Sequence, residues 1–278
     1  MAITRQETRL NRPIAAALRR AERPRPRLPR WLSAGLPSLA AVGLLLIIWQ
    51  LATALGWASP YVLPAPGTVF GDLFEILGDG TLASNVAATV EEAGLGLGIA
   101  ALVALPCGYA VAHIHMLERF VSPLIAASQA VPAVAIAPLL VTSFGNGIEL
   151  KVAVCAVIVV FPLVVNAVTA FRGVQREYLE VARVFGVPQW ETILRVELPL
   201  AAPVLLAGLK LAVTLSLTGA IVGEFVASDQ GLGFLLNVYR DNQLQPYAFA
   251  TLIVLVAIGI AAYSFISFLE RKVATWQG

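Results

Sequence analysis

Six apolar runs govern what this chain can become. They fall at 34–56, 93–114, 120–144, 148–170, 200–223 and 247–269, and each holds the ~20 residues that a helix needs to cross about 30 Å of hydrocarbon. No water is available there to satisfy a backbone amide, so the segments are expected to be helices, which satisfy their own. The expectation is an all-α membrane protein with six transmembrane helices. Apolar residues make up 58% of the chain and charged residues 13%, with mean hydropathy +0.81, a balance that excludes an ordinary soluble domain.

The net charge is only +2, and its arrangement says more than its sum. Arg5, Arg9, Arg12, Arg19, Arg20, Arg23, Arg25, Arg27 and Arg30 precede the first run, whereas 57–92 contains Asp72, Glu75, Asp79, Glu91 and Glu92 and no Lys or Arg. The positive-inside rule then puts the N-terminus in the cytoplasm. Counting spans brings Arg119, the polar stretch 172–199 and Arg271-Lys272 to the same side, so the C-terminus is cytoplasmic too. Residues 1–30 read as an Arg/Pro-rich cytoplasmic arm. Pro24, Pro26 and Pro29 break up its charges and no aromatic residues interleave, which fits a tail near anionic headgroups and not a nucleic-acid binder. Residues 31–278 read as one six-helix transmembrane domain.

The stretch 172–199 is the long polar interruption on the cytoplasmic side. Gln175 to Phe185 alternates at helical spacing, with Glu177, Glu180 and Arg183 on one side and Leu179, Ala182 and Phe185 on the other. Gly186 stops that helix, Pro188 suits the first turn of a second one running to about Leu198, and Pro199 marks the start of the next span. The product is a helix, a Gly hinge and a helix lying across the membrane face.

These residues resemble a family. Glu180, Val181, Ala182, Gly186, Val196, Leu198 and Pro199 are similar to the EAA signature of membrane subunits of binding-protein-dependent ABC importers, with Val181 and Val196 as small departures. The resemblance implies the type I ABC importer (MetI-like) permease architecture. It implies that 172–199 is a coupling loop, with Glu180, Ala182, Arg183, Gly186 and Val187 meeting an ATPase subunit. The implied partners are a second copy of the chain, two ATPase subunits, a periplasmic or extracellular solute-binding protein and the lipid bilayer of a bacterial inner membrane. ATP and Mg would sit on the ATPase subunits. No cofactor is expected on this chain, which has no Gly-Lys-Ser/Thr phosphate loop. The stretch 130–147 and the pattern Gly223-Glu224-Phe225-Val226 with Gly231-Leu232-Gly233 are similar to permeases of the nitrate/sulfonate/taurine group and of thiamine pyrimidine precursors. That implies import of a small solute of those kinds.

Polar residues within the spans are candidates for the translocation pathway: Ser128, Gln129 and Pro132 in the third, Asn166 in the fourth, Thr214 and Thr218 in the fifth. Pro123, Pro132 and Pro138 should bend the third span, which places it in the bundle interior. Glu224 is a candidate outer gate or binding-protein contact, with an ion pair to Arg240 as the structural alternative. Asn166 bonding a neighbouring helix, Lys210 snorkelling to water and threonines bonding back to their own helix are further structural alternatives. Gly94, Gly96, Gly98 and Gly108 allow a helix to approach closely. Thr68 is expected to cap an outer helix through Leu77, with a second outer helix over 83–92. Cys107 and Cys155 read as core residues, and His113 and His115 as surface residues. No residues are spaced as metal ligands or as a catalytic set. The alternative reading, an ion-coupled secondary transporter, calls for acidic groups at mid-span, where none is seen.

Overall fold

The computed structural model describes residues 30–130 and 132–274, so all but Arg30 of the arm expected over 1–30 lies outside the described residues. Every element described is helical. Helix α1 (Arg30–Ala54) belongs to a unit that ends at Ala58. It is apolar on all sides, and Leu45 and Ile47 are exposed, as suits a helix facing hydrocarbon.

The second unit, Ser59–Gly278, carries α2 (Pro66–Gly78), α3 (Thr81–His113), α4 (His115–Ala130), α5 (Ala133–Phe144), α6 (Ile148–Arg172) and α7 (Arg176–Val184). Then come α8 (Gln189–Thr192), a π-helical turn (Ile193–Glu197), α9 (Leu198–Val226), α10 (Leu232–Asp241) and α11 (Gln245–Ala274). Among the described residues four helical stretches, not six, are long and apolar enough to cross a bilayer: Thr81–His113, Ile148–Arg172, Gln189–Val226 and Gln245–Val273.

The third expected span, 120–144, is divided into α4 and α5. Pro132 has no amide to donate and biases the residue before it away from helix, and it caps α5 with φ −61° and ψ 123°. The 12 residues of α5 fall short of a crossing. Where a separate outer helix was expected over 83–92, α3 runs unbroken for 33 residues. No glycine pair or proline interrupts 83–92, and its acidic Glu92 is buried rather than at a helix end. Thr68 does not cap α2: Ala65 holds that place, Pro66 opens the helix, and the Thr68 hydroxyl donates to the Ala65 carbonyl at 2.7 Å. In α2, Val69 and Ile76 face inward while Leu77 is exposed.

Helix α6 is the axis of this unit, packed against both α3 and α9, which also touch each other. In lipid, helices gain little by hiding apolar surface from one another, and close packing of small residues takes over. A Cβ on Gly96 of α3 would lie 2.4 Å from Cys155 Sγ, and one on Gly219 of α9 would lie 2.7 Å from Cys155 Cα. Two helices thus close on the same turn of α6. Gly108 makes a similar approach to Ala167, but Gly94 and Gly98 face open space, so half of the expected glycine stripe serves packing. Cys155 is in the core as expected, and Cys107 is exposed instead, on the far side of its helix.

Candidate functional site

The polar stretch after α6 folds as an elbow. Helix α7 turns Ala182 inward, packs Leu179 against the core around Phe171 and Val174, and leaves Glu180 and Arg183 in solvent. It ends in two crossed backbone hydrogen bonds, Gly186 N to Arg183 O and Val187 N to Ala182 O, both at 3.0 Å. This closure requires a left-handed residue at Gly186, whose φ is +72°. Pro188, extended, then redirects the chain into α8. Around the elbow apolar groups project outward: Val184 is 86% exposed, Phe185 80% and Trp190 60%. The second loop helix expected from Pro188 to Leu198 does not stop at Pro199. The π-helical turn carries it straight into α9, an extra residue in the turn making room for a proline without an amide.

Polar and ring contacts hold the base of the elbow. Glu197, at the end of the π-helical turn, meets His113 Nε2 at 2.9 Å, and His113 Nδ1 lies 2.9 Å from the Tyr109 carbonyl. The Tyr109 ring sits 4.2 Å from His113 and edge-on to Phe171 at 5.2 Å. Arg172 donates to Glu118 at 2.7 Å and to the Val111 carbonyl at 3.3 Å. The Arg172 hydrogen bond holds the Glu118 carboxyl below its ordinary range. His113 is therefore no idle surface residue, while His115 pairs with Glu118 at 3.1 Å. A cavity of 330 Å³ opens beneath the elbow, lined by Tyr109, Arg183, Val187, Gln189 and Glu197. Arg183 and Val187 thus meet there, whereas Glu180 lies apart on the outside of α7.

At the opposite end of the bundle is a polar cluster that the sequence did not reveal. Asn85, Thr89 and Glu92 on α3, Lys151 on α6 and Glu224 on α9 are all buried. Lys151 Nζ donates to Glu92 Oε1 at 2.8 Å. Three successive amides at the start of α10 find side-chain acceptors: Gly231 N donates to Asn85 Oδ1 at 2.6 Å, Leu232 N to Thr89 Oγ1 at 2.8 Å, and Gly233 N to Glu224 Oε2. Thr89 Oγ1 in turn donates to Glu224 Oε1 at 2.6 Å. The first turn of a helix leaves its amides without partners and carries partial positive charge, and a carboxylate answers both needs. The expected Glu224–Arg240 pair is absent: Arg240 meets Asp241 at 3.0 Å, and Glu224 belongs to the buried cap of α10. The spacing of Asn85, Thr89 and Glu92, four and then three residues apart, puts them on one helical face, and that was the available signal.

The candidate pathway residues are not brought together. Ser128 bonds back to Ile125 O at 2.7 Å, and the side chain of Gln129 lies outside the described residues. Pro132 marks the α4–α5 break. Asn166 donates to Pro162 O of its own helix at 3.0 Å rather than to a neighbouring helix. Thr214 and Thr218 bond back to Lys210 O and Thr214 O and face an apolar groove of 620 Å³ between α9 and α11. Lys210 does not snorkel: it meets Glu270 at 2.6 Å, near the Tyr263 ring. Among the described residues no cluster of potential metal ligands is present.

A helical membrane chain with small-residue packing and a water-exposed apolar elbow between spans has the build of a transporter's membrane subunit. Residues 96–275 match the model of the family described as binding-protein-dependent transport system inner membrane component, and the chain belongs to that family. It is 40% identical over 247 residues to the riboflavin transport system permease protein RibX of Chloroflexus aurantiacus, covering 89% of this chain and 91% of that one. It is 30% identical to the putative aliphatic sulfonates transport permease protein SsuC of Bacillus subtilis, over 84% of each. The formylaminopyrimidine transport permease protein ThiX of Halalkalibacterium halodurans is 29% identical over 84% of this chain and 93% of its own. The fold resembles a chain of the inward-facing MetNI methionine ABC transporter with TM-score 0.62 at 16% identity, over 70% of this chain and 97% of that chain. The chain is thus a membrane-spanning permease subunit of the ABC importer class, a transport component. Membership of this family displaces the secondary-transporter alternative.

Proposed function

We propose that two copies of this chain form the membrane core of an ATP-driven importer in a bacterial inner membrane. The elbow of each copy docks in an ATPase subunit that carries ATP and Mg, and a solute-binding protein delivers a small solute to the opposite face. Both termini lie on the cytoplasmic side with the elbow. The observation that carries this reading is the elbow itself, where Val184, Phe185 and Trp190 stand in water around a left-handed glycine. Apolar side chains held outward on a fixed turn are what a groove on a partner requires. Ala182 seats α7 on the bundle, Gly186 and Val187 close the turn, and Glu180 and Arg183 present charge to the partner. The solute belongs to the range named for the relatives, and the 40% identity makes riboflavin the first to test.

The test is a cross-link. With the chain purified alongside its ATPase subunit, Val184→Cys should cross-link to that subunit, and Tyr61→Cys, exposed at the opposite end, should not. A cross-link from Tyr61→Cys and none from Val184→Cys refutes the docking.

A further inference from the structure

We propose that the solute is uncharged, a flat molecule with hydrogen-bonding edges, and that it is met first by a cavity of 570 Å³ between α5, the end of α9 and α10. The inference rests on the importer reading and adds the class of solute. Three separate observations point to it.

The first is the disposition of positive charge. Of the lysines in the four described spans, Lys151 and Lys210 are neutralised, by Glu92 at 2.8 Å and by Glu270 at 2.6 Å, and Lys272 lies at the elbow end over the Phe268 ring. The arginines of these spans, Arg172, Arg195 and Arg271, also lie at the elbow end, the first two paired with Glu118 and Glu191. Beyond the elbow end, an anion crossing this bundle would find among the described span residues only Lys151 and Lys210, both already paired. The cost of charge in low dielectric makes that decisive.

The second is the lining of the cavity itself. Asn146, Ser228 and Asn237 offer amides and a hydroxyl, and Phe225 and Phe234 provide aromatic walls. Asn237 spends one donor on the Phe225 carbonyl at 3.1 Å, which fixes its side chain. Its carbonyl oxygen keeps accepting capacity. The charged groups in the lining are Glu224, held by Thr89 and the Gly233 amide, and Asp241, bound by Arg240 at 3.0 Å. Amides on apolar walls select a neutral solute by hydrogen bonds, and a volume of this order suits an organic molecule rather than an inorganic anion. The cavity is also built to keep its shape. Its α10 wall is clamped at the first turn by Asn85, Thr89 and Glu224.

The third is the field at that end of the bundle. Segments 57–91, 145–149 and 227–244 carry four, one and two carboxylates respectively, against one cation, Arg240. A mouth of that sign lowers the local concentration of anions and leaves a neutral solute unaffected. A cation would be drawn to the mouth, but the lining offers it no carboxylate that is not already bound.

The experiment is ATP-dependent uptake into proteoliposomes holding the full chain with its ATPase subunit and binding protein. The probes are riboflavin and formylaminopyrimidine as neutral solutes, methanesulfonate and bicarbonate as anions, and thiamine as a cation. Uptake of a neutral probe at least 100-fold above every charged one is the expected result. Preference for an anion or for thiamine overturns the class while leaving the importer intact, and so does failure of both neutral probes when the ATPase subunit still hydrolyses ATP in complex with this chain. If no such complex forms, the importer reading falls, and this inference with it. Within the cavity, Phe234→Ala should raise the KM for the neutral solute about tenfold with little change in kcat, as expected for a lost stacking wall. Phe234→Tyr should restore it. A KM unchanged in Phe234→Ala refutes the assignment of this cavity.

Discussion

Gly186 offers the sharpest test of the elbow, because its surroundings remove the usual ambiguity. A Cβ placed there would meet nothing within 4 Å, so substitution costs nothing by crowding within this chain. What remains is backbone conformation. At φ +72° an L-residue is strained, at about 1–2 kcal/mol for Ala and less for Asn, whose short polar side chain tolerates the left-handed region. Since ~1.4 kcal/mol is tenfold in an equilibrium, Gly186→Ala should leave the elbow in its docking geometry about a tenth as often as its alternatives now allow. Pro is worse on two counts: its φ is fixed near −65°, and it deletes the amide that donates to Arg183 O. The order of uptake per ATP hydrolysed should therefore be Gly, then Asn, then Ala, then Pro. Membrane insertion and thermal stability should barely change for Asn and Ala. The assay is paired measurement of transport and hydrolysis in proteoliposomes. Equal coupling in all four proteins, or Ala falling below Pro, would defeat the reasoning.

Two further predictions concern the spans. Lys151→Met leaves Glu92 buried without its partner and should destabilise the fold by about 3–5 kcal/mol, whereas Lys151→Met with Glu92→Gln should recover most of that loss; thermal unfolding in detergent decides, and equal damage from both refutes the pair. Gly96→Ala drives a methyl against Cys155 Sγ and should destabilise by ~1–3 kcal/mol, while Gly98→Ala meets open space and should be neutral or stabilising. The same melts distinguish the two.

The features legible in the sequence were those set by local chemistry. Helix α7, its glycine stop and the apolar length of four spans follow from periodicity, a left-handed turn and hydrocarbon thickness, none of which needs a neighbour. What was not legible depends on which helices touch. Glu224 reads in the sequence as a gate or contact because it follows Gly223 near the end of an apolar run, yet α9 continues through it, and the amide of Gly233 makes its burial tolerable. Lys151 and Glu92 are 59 positions apart and become partners only once α3 and α6 have closed. Asn166 and the threonines stood out as polar groups in spans, but backbone carbonyls one turn away already satisfy them. The joining of α8 to α9 through five π-helical residues has no counterpart in periodicity, since Pro199 by itself argues for a stop.

That joining has a mechanical consequence. From Gln189 to Val226 the chain is one helical path of 38 residues, so Glu224 sits roughly 52 Å from the elbow at 1.5 Å per residue. If the path turns as a stiff body about its elbow end, a rotation of about 10° sweeps that carboxylate through roughly 9 Å. Because the carboxylate is fastened to the first turn of α10, the wall on the far side of the membrane travels with it, and a push received in water at one surface is spent on reshaping a chamber at the other.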